Sequence, residues 1–238
     1  MPLTIDLDQL MNRSVRLAPT IDPKKTWLHV TDMQITCTDP AASGYLVGGG
    51  GAPSGDDCVS ACNAVIARCR QEGVGVSWSK WGVRDDGLDA GLYNDKVRFW
   101  YPNGGSDGKL SDPETEIDPR MDRLEGEPVF TRPKFSAFNG TALENILTAQ
   151  GIEYLIIVGL STSYCVRNTA IDAWNMNIRA LVVADCTTAY DEDPENPAYK
   201  EALKNVQGTY GDVVTSGELF DMFDQAAAGT ATPEHARA

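Results

Sequence analysis

Tyr154-Leu155-Ile156-Ile157-Val158-Gly159-Leu160-Ser161-Thr162-Ser163-Tyr164-Cys165 runs into a helical pattern from Val166 to about Asn177. A second apolar run follows, Ala180-Leu181-Val182-Val183, ending at Asp185. An apolar run closed by glycine, then a helix, then another apolar run is the pattern of a β-α-β crossover with strands buried on both faces. In open parallel sheets, ligands bind where strands end and helices begin. Cys165 falls at such a junction, in the first turn of its helix, where unpaired backbone N–H groups favour an anion. A thiol placed there is expected to have its pKa lowered toward the reactive range. The competing reading is a small buried hydrophobe, the usual fate of a free cysteine.

Outward from this unit the alternation repeats. Thr26-Trp27-Leu28-His29-Val30 reads as the first strand, ending at Thr31-Asp32-Met33-Gln34. Ser54 is placed to cap a helix running to about Gly73, with Asp56 and Asp57 in its first turn where the helix dipole favours them. Val74–Ser79 and Pro128–Arg132 read as strands two and three. Thr141 and Glu144 form a capping-box pattern for a helix with Leu143, Ile146 and Leu147 facing inward. Beyond Asp185 come a helix at about Pro197–Val206, a short strand at Asp212–Thr215, and a last helix to about Gln225 with Thr215 and Glu218 as its capping box. Strands alternating with helices predict an α/β fold: a doubly wound, Rossmann-like, mostly parallel sheet with helices on both faces, in three layers.

Residues 1–25 read as an irregular lead-in, 26–225 as a single domain, and 226–238 as a disordered tail. The glycine-rich Gly44–Gly55 lacks the Gly-Lys-Ser/Thr of a phosphate loop and reads as a flexible active-site or interface loop. A long insert at about 80–127, rich in Gly, Asp, Pro and aromatics, has the length of a lid, a binding loop or a subunit contact.

The net charge of −14 over 238 residues argues against a nucleic-acid or anionic-membrane partner. Recognition of a carboxylate would therefore need a local arginine or lysine. The amino-terminal stretch lacks the basic-then-apolar order of a signal peptide, and no apolar run approaches a membrane span. Six cysteines are too sparse for a disulfide scaffold, which points to a reducing cytoplasm. Cys58, Cys62 and Cys69 fall with Val65 and Ile66 on one helical stripe, the pattern of a core face rather than a metal site.

Asp32 ends strand one, Arg132 and Lys134 leave strand three, and Cys165 leaves strand four. A parallel sheet brings these carboxyl ends to one edge, near the switch point. A carboxylate can take the thiol proton, a cation can stabilise the thiolate, and N–H groups at the helix start can hold an oxyanion. Taken singly, Asp32 could be a cap, Lys134 a surface charge and Cys165 core.

Three segments carry a resemblance: Val30-Thr31-Asp32-Met33-Gln34, then Arg132-Pro133-Lys134-Phe135-Ser136-Ala137-Phe138 with Gly140-Thr141-Ala142-Leu143, and Gly159-Leu160-Ser161-Thr162-Ser163-Tyr164-Cys165-Val166. In this order the chain, from about Trp27 to Phe223, resembles the isochorismatase-like cysteine hydrolases. The resemblance implies that Asp32 is the general base and Cys165 the nucleophile. It also implies that Leu160–Ser161 is a non-proline cis peptide, with the N–H groups of Ser161 and Cys165 forming the oxyanion hole. The family's cationic position and a following arginine occur here in reverse order, as Arg132 and Lys134. Lys134 is preferred as the catalytic cation, because an amine of adjustable pKa suits the role better than a fixed guanidinium, with Arg132 the alternative.

The cysteine points within that family to amide or ureide cleavage. Nicotinamidases of the family add a metal site built on an Asp-x-His pair and a further histidine. Here no histidine stands between His29 and His235, so no metal and no cofactor are expected. Cys165-Val166-Arg167-Asn168-Thr169 is most similar to the carbamoyl and ureido branch, that of N-carbamoylsarcosine, ureidoacrylate and biuret amidohydrolases. The implied activity is cysteine-dependent hydrolysis of a small amide, carbamoyl or ureido compound through a thioacyl enzyme, releasing ammonia or an amine. The alternatives are a cysteine-independent hydrolase of the isochorismatase type and a non-enzymatic thiol sensor on the same fold. Trp78, Trp81, Trp100, Phe138 and Tyr164 are candidates for lining the substrate pocket. A homodimer or homotetramer is expected from the resemblance.

Overall fold

The computed structural model describes residues 5–42, 53–93, 95, 108–189 and 198–229. Among the described residues, six strands form one sheet: β1 (Thr26–Thr31), β2 (Gly75–Trp81), β3 (Val129–Arg132), β4 (Tyr154–Leu160), β5 (Arg179–Thr188) and β6 (Gly211–Val214). Their order is β3-β2-β1-β4-β5-β6, and every ladder is parallel. The chain winds outward from β1 in one direction and from β4 in the other, so the crevice between these two strands is the switch point.

Alternation along the strands sorts the core into two layers. Leu28, Val30, Ile156, Val158, Leu181 and Val183 face one side. There they meet Cys58, Cys62, Val65, Ile66 and Cys69 of α3 (Gly55–Gln71), and Leu219, Met222 and Phe223 of α7 (Ser216–Ala227). Leu155, Ile157, Ala180 and Val182 face the other side. Their partners are Leu143 and Leu147 of α4 (Leu143–Ala149), Ala170 and Ala173 of α5 (Arg167–Asn175), and Tyr199 and Leu203 of α6 (Ala198–Asn205). Burial on both faces explains why the strands read as continuous apolar runs. The doubly wound three-layer fold expected from the sequence is the fold observed.

Several boundaries differ from expectation. β5 runs to Thr188, beyond Asp185, because Thr187 and Thr188 continue the ladder opposite Gly159 and Leu160 after a register shift. Thr141 and Glu144 do not form a capping box. α4 starts after Ala142, while the Thr141 hydroxyl donates to the Ala137 carbonyl at 2.6 Å and accepts the Leu143 N–H at 3.2 Å. The capping box of Thr215 and Glu218 does form. The last helix extends to Ala227, two residues into the expected tail, and 230–238 lie outside the described residues.

The lead-in is held down at specific points. It contains α1 (Leu7–Leu10), with Leu7 in the core, and the 3-10 turn Pro23–Lys25. Further on, the Asp212 carboxylate of β6 accepts the N–H groups of Leu17 at 3.0 Å and Ala18 at 2.7 Å. The glycine-rich segment lies mostly outside the described residues.

Candidate active site

Gly159 shapes the switch point. Its φ is +99°, and a Cβ there would sit 2.0 Å from the Thr31 carbonyl oxygen, so only glycine lets β4 approach the end of β1 this closely. Thr31 and Gly159 are register partners, which sets the turn after β1 beside the segment after β4.

Asp32 occupies the turn after β1 with φ at +51°, a left-handed conformation that aspartate tolerates better than most residues. Ser79 of β2 grips it twice. The Asp32 N–H donates to the Ser79 carbonyl at 3.0 Å, and the Ser79 hydroxyl donates to Asp32 Oδ1 at 2.9 Å. Met33 then enters the core, and the single turn α2 (Ile35–Thr38) follows. Gln34 clamps the neighbouring chain: its amide donates to the carbonyls of Trp81 at 2.9 Å and Thr115 at 2.6 Å, and its Oε1 accepts the Trp81 N–H at 2.8 Å.

Arg132, the last residue of β3, is buried beneath this turn. Its Nη2 donates to Asp32 Oδ2 at 2.8 Å and lies 3.4 Å from Ser79 Oγ, while Nη1 donates to the carbonyl of Lys134. The third member comes from beyond β4, where the Leu160–Ser161 peptide is cis. A wide turn of π type, Thr162–Val166, precedes α5, and the Ser161 carbonyl accepts the N–H groups of Tyr164 at 3.0 Å and Val166 at 3.1 Å. Cys165 projects from this turn with its thiol buried, and the charges of the Asp32 carboxylate and the Arg132 guanidinium both act on it. Thr169 ties the turn to the segment after β3: its hydroxyl donates to the Cys165 carbonyl at 2.7 Å and accepts the Ala137 N–H at 3.0 Å.

The electrostatics overturn one expectation. The Cys165 thiol is pushed well above its ordinary pKa, first by burial and then by the Asp32 carboxylate; the Arg132 charge opposes this and loses. The resting group is therefore a protonated thiol beside a carboxylate, not a standing thiolate. A thiolate at a helix start needs solvent or an excess of positive charge, and this pocket supplies neither. Such a constellation can transfer a proton as the sulfur attacks and can stabilise the negative charge that results.

A model of the isochorismatase domain matches residues 26–218. The chain belongs to the isochorismatase family. It is 28% identical over 204 residues to a ureidoacrylate amidohydrolase of Methylobacterium radiotolerans, covering 80% of this chain and 76% of that one. An N-carbamoylsarcosine amidase from Thermoplasma acidophilum superposes with a TM-score of 0.60 at 27% identity, covering 81% of this chain and 96% of that one. A cysteine hydrolase from Pseudomonas syringae pv. phaseolicola shares the fold with a TM-score of 0.78 at 23% identity, over 91% of this chain and 100% of that one.

Within this family frame, the cation is the second correction. Arg132, not Lys134, pairs with Asp32. Lys134 is exposed, and its Nζ lies 3.4 Å from where a Cβ on Gly91 would stand, beside the 3-10 turn Gly91–Tyr93 of the insert. The chain bends after β3, so the two side chains that an uninterrupted strand would align are separated.

The aromatic candidates divide. Trp78 is core, and its indole N–H donates to Glu127 at 2.7 Å. Phe138 is likewise core. Trp81 is partly buried against Tyr93, with ring centroids 4.7 Å apart, and Tyr164 is partly exposed beside Phe135 at 5.5 Å. Trp100 lies outside the described residues. Cys58, Cys62 and Cys69 form the buried stripe that their spacing implies.

Sequence reasoning missed Ser79 and His29. His29 lies in β1 with Nδ1 3.0 Å from Ser77 Oγ and Nε2 3.2 Å from Ser79 Oγ. Burial first, and then the Arg132 charge, push its pKa down to about 3. Polar residues at alternate positions of adjacent apolar strands were the available signal.

Proposed function

We propose that this protein is a cysteine-dependent amidohydrolase acting on a small amide, carbamoyl or ureido compound, with Cys165 as nucleophile, Asp32 as base and Arg132 as the stabilising cation. Family membership, with an amidohydrolase relative matching over four-fifths of the chain, makes it a hydrolase of non-peptide C–N bonds. The single observation that supports the finer reading is the buried Cys165 thiol under the influence of the Asp32–Arg132 ion pair, both of whose charges act on it.

In this mechanism the thiol proton passes to the Asp32 carboxylate as sulfur attacks the carbonyl carbon. The displaced electron pair moves to oxygen, which the N–H groups of Ser161 and Cys165 receive. Collapse of the tetrahedral species breaks the C–N bond, and the amine or ammonia leaves with the proton held on Asp32. Water then gives a proton to the same carboxylate, attacks the thioacyl carbon and releases the acid while sulfur recovers its proton. Arg132 stays charged throughout and offsets negative charge on the pair it touches. A homodimer or homotetramer forms part of the proposal and is checked by light scattering on the eluted protein.

An ammonia-release screen over carbamoyl amino acids, biuret, ureidoacrylate and aryl amides tests the substrate class. Mass spectrometry of the quenched enzyme should locate a thioacyl adduct on Cys165. A Cys165→Ala enzyme that releases ammonia at the parent rate would transfer the reaction to a cysteine-independent hydrolase.

A further inference from the structure

Four side chains behind Asp32 take no part in the mechanism above, yet they form one continuous line between β1 and β2, with Trp27 half-buried and Ser77, His29 and Ser79 buried. The Trp27 indole N–H donates to Ser77 Oγ at 2.9 Å. Ser77 Oγ lies 3.0 Å from His29 Nδ1, His29 Nε2 lies 3.2 Å from Ser79 Oγ, and Ser79 donates to Asp32 Oδ1 at 2.9 Å. Register places them there: Trp27 pairs with Gly75 and His29 with Ser77, so Ser77 and Ser79 flank the imidazole on its own side of the sheet.

The valence of each atom sets the direction. Indole N–H can only donate, so Ser77 Oγ accepts at that end and has its one hydrogen left for His29 Nδ1. At the other end the Asp32 carboxylate, paired with Arg132, can only accept, so Ser79 spends its hydrogen there. Ser79 Oγ is then an acceptor for everything else that approaches it, namely His29 Nε2 and, at 3.4 Å, Arg132 Nη2. His29 must therefore carry its proton on Nε2. In the opposite tautomer the Ser79 hydrogen would turn to the ring and leave Asp32 Oδ1 without this donor. Arg132 is the charged group that faces the ring, and Phe130 stacks on it with centroids 6.4 Å apart.

We propose that Trp27, Ser77, His29 and Ser79 form a one-way hydrogen-bond relay that fixes His29 as the Nε2–H tautomer and makes Ser79 and His29 positioning residues for Asp32. This rests on the reading of Asp32 as the base. The relay holds Asp32 Oδ1 through Ser79 while Arg132 holds Oδ2, which fixes the carboxylate plane, and Ser79 also holds the left-handed backbone at Asp32 through its carbonyl. The depressed pKa of His29 agrees with a ring that serves as a rigid neutral link.

Two readouts test it. The chain has two histidines, so nitrogen-15 spectra of full-length protein carrying His235→Gln report His29 alone. The expected signal is the Nε2–H tautomer, unchanged between about pH 7 and pH 5, well above the depressed pKa of the buried ring. An Nδ1–H or doubly protonated ring in that range overturns the proposal.

The second readout is the rate at which iodoacetamide alkylates Cys165, located by mass spectrometry, together with ammonia release from N-carbamoylsarcosine and ureidoacrylate. Ser79→Ala should lower the alkylation rate by about tenfold and shift its pH midpoint, while Ser79→Thr, which keeps the hydroxyl, should stay within about twofold of the parent. Wild-type rate and midpoint in Ser79→Ala overturn the positioning role. Asp32→Asn separates the two readings. If it releases ammonia at the parent rate while His29 of the parent is the Nε2–H tautomer, the base assignment has failed; if it is inactive while His29 of the parent is the Nδ1–H tautomer, the relay has failed.

Discussion

Replacing Arg132 by methionine tests the site at its most buried charge. The Arg132 and Asp32 side chains are 0% and 5% exposed, and their 2.8 Å contact is the ion pair at the centre of the cluster. Methionine removes the charge and the donors to Asp32 Oδ2 and the Lys134 carbonyl while keeping an apolar stem. Breaking a buried pair from one side costs about 3–5 kcal/mol, because the remaining charge is left uncompensated. Ser79 still donates to Asp32, so the lower end, about 3 kcal/mol, is expected. With a urea m-value of about 3 kcal/mol/M, the unfolding midpoint should fall by about 1 M. Arg132 is also the group that restrains the rise in the Cys165 pKa, so the variant should alkylate more slowly at neutral pH and release less ammonia. Lys134→Met, at an exposed position, should leave both the midpoint and the alkylation rate close to the parent. The reasoning is refuted if Lys134→Met abolishes turnover while Arg132→Met retains it, or if the two shift the urea midpoint equally.

Three further outcomes follow from the same geometry. The unfolded chain takes up a proton at His29 near its ordinary pKa of 6.5, whereas the folded chain waits until about 3, so stability falls as pH drops through that window. Between pH 6.5 and 4.5 this contributes a loss of about 2–3 kcal/mol, and His29→Gln should flatten the slope of urea midpoint against pH; an unchanged slope sinks the linkage. Gly159→Ala would drive a Cβ into the Thr31 carbonyl at a φ of +99°, so a loss on the order of 4 kcal/mol is expected, read by thermal melting. Thr215→Ala removes the capping box of α7 and should cost about 1 kcal/mol, with turnover intact because the helix end lies outside the cluster described above.

The legible parts of the fold were those governed by local pattern. Apolar runs at 154–158 and 180–183 mark central strands because both faces of such strands are buried, and the stripe of Cys58, Cys62, Val65, Ile66 and Cys69 marks a helix by its spacing. The Thr215–Glu218 box was readable for the same reason, since both its halves lie within four residues. The matching pattern at Thr141 and Glu144 misled. The hydroxyl was taken by the Ala137 carbonyl of the preceding turn, a competitor that pattern alone does not rank.

At the site, strand ends could be read as meeting at one edge, and the Asp32, Arg132 and Cys165 side chains do meet there. Residue types and their order along the chain thus determined the doubly wound sheet, the crevice and the acid-thiol pair. The tertiary structure alone decided that Arg132 lies inside while Lys134 turns outward, that the thiol keeps its proton, and that His29 joins Ser77 and Ser79 in line with Asp32. Those outcomes depend on desolvation and on which atoms arrive from distant strands, and both are set by packing in three dimensions rather than by any local run of residues.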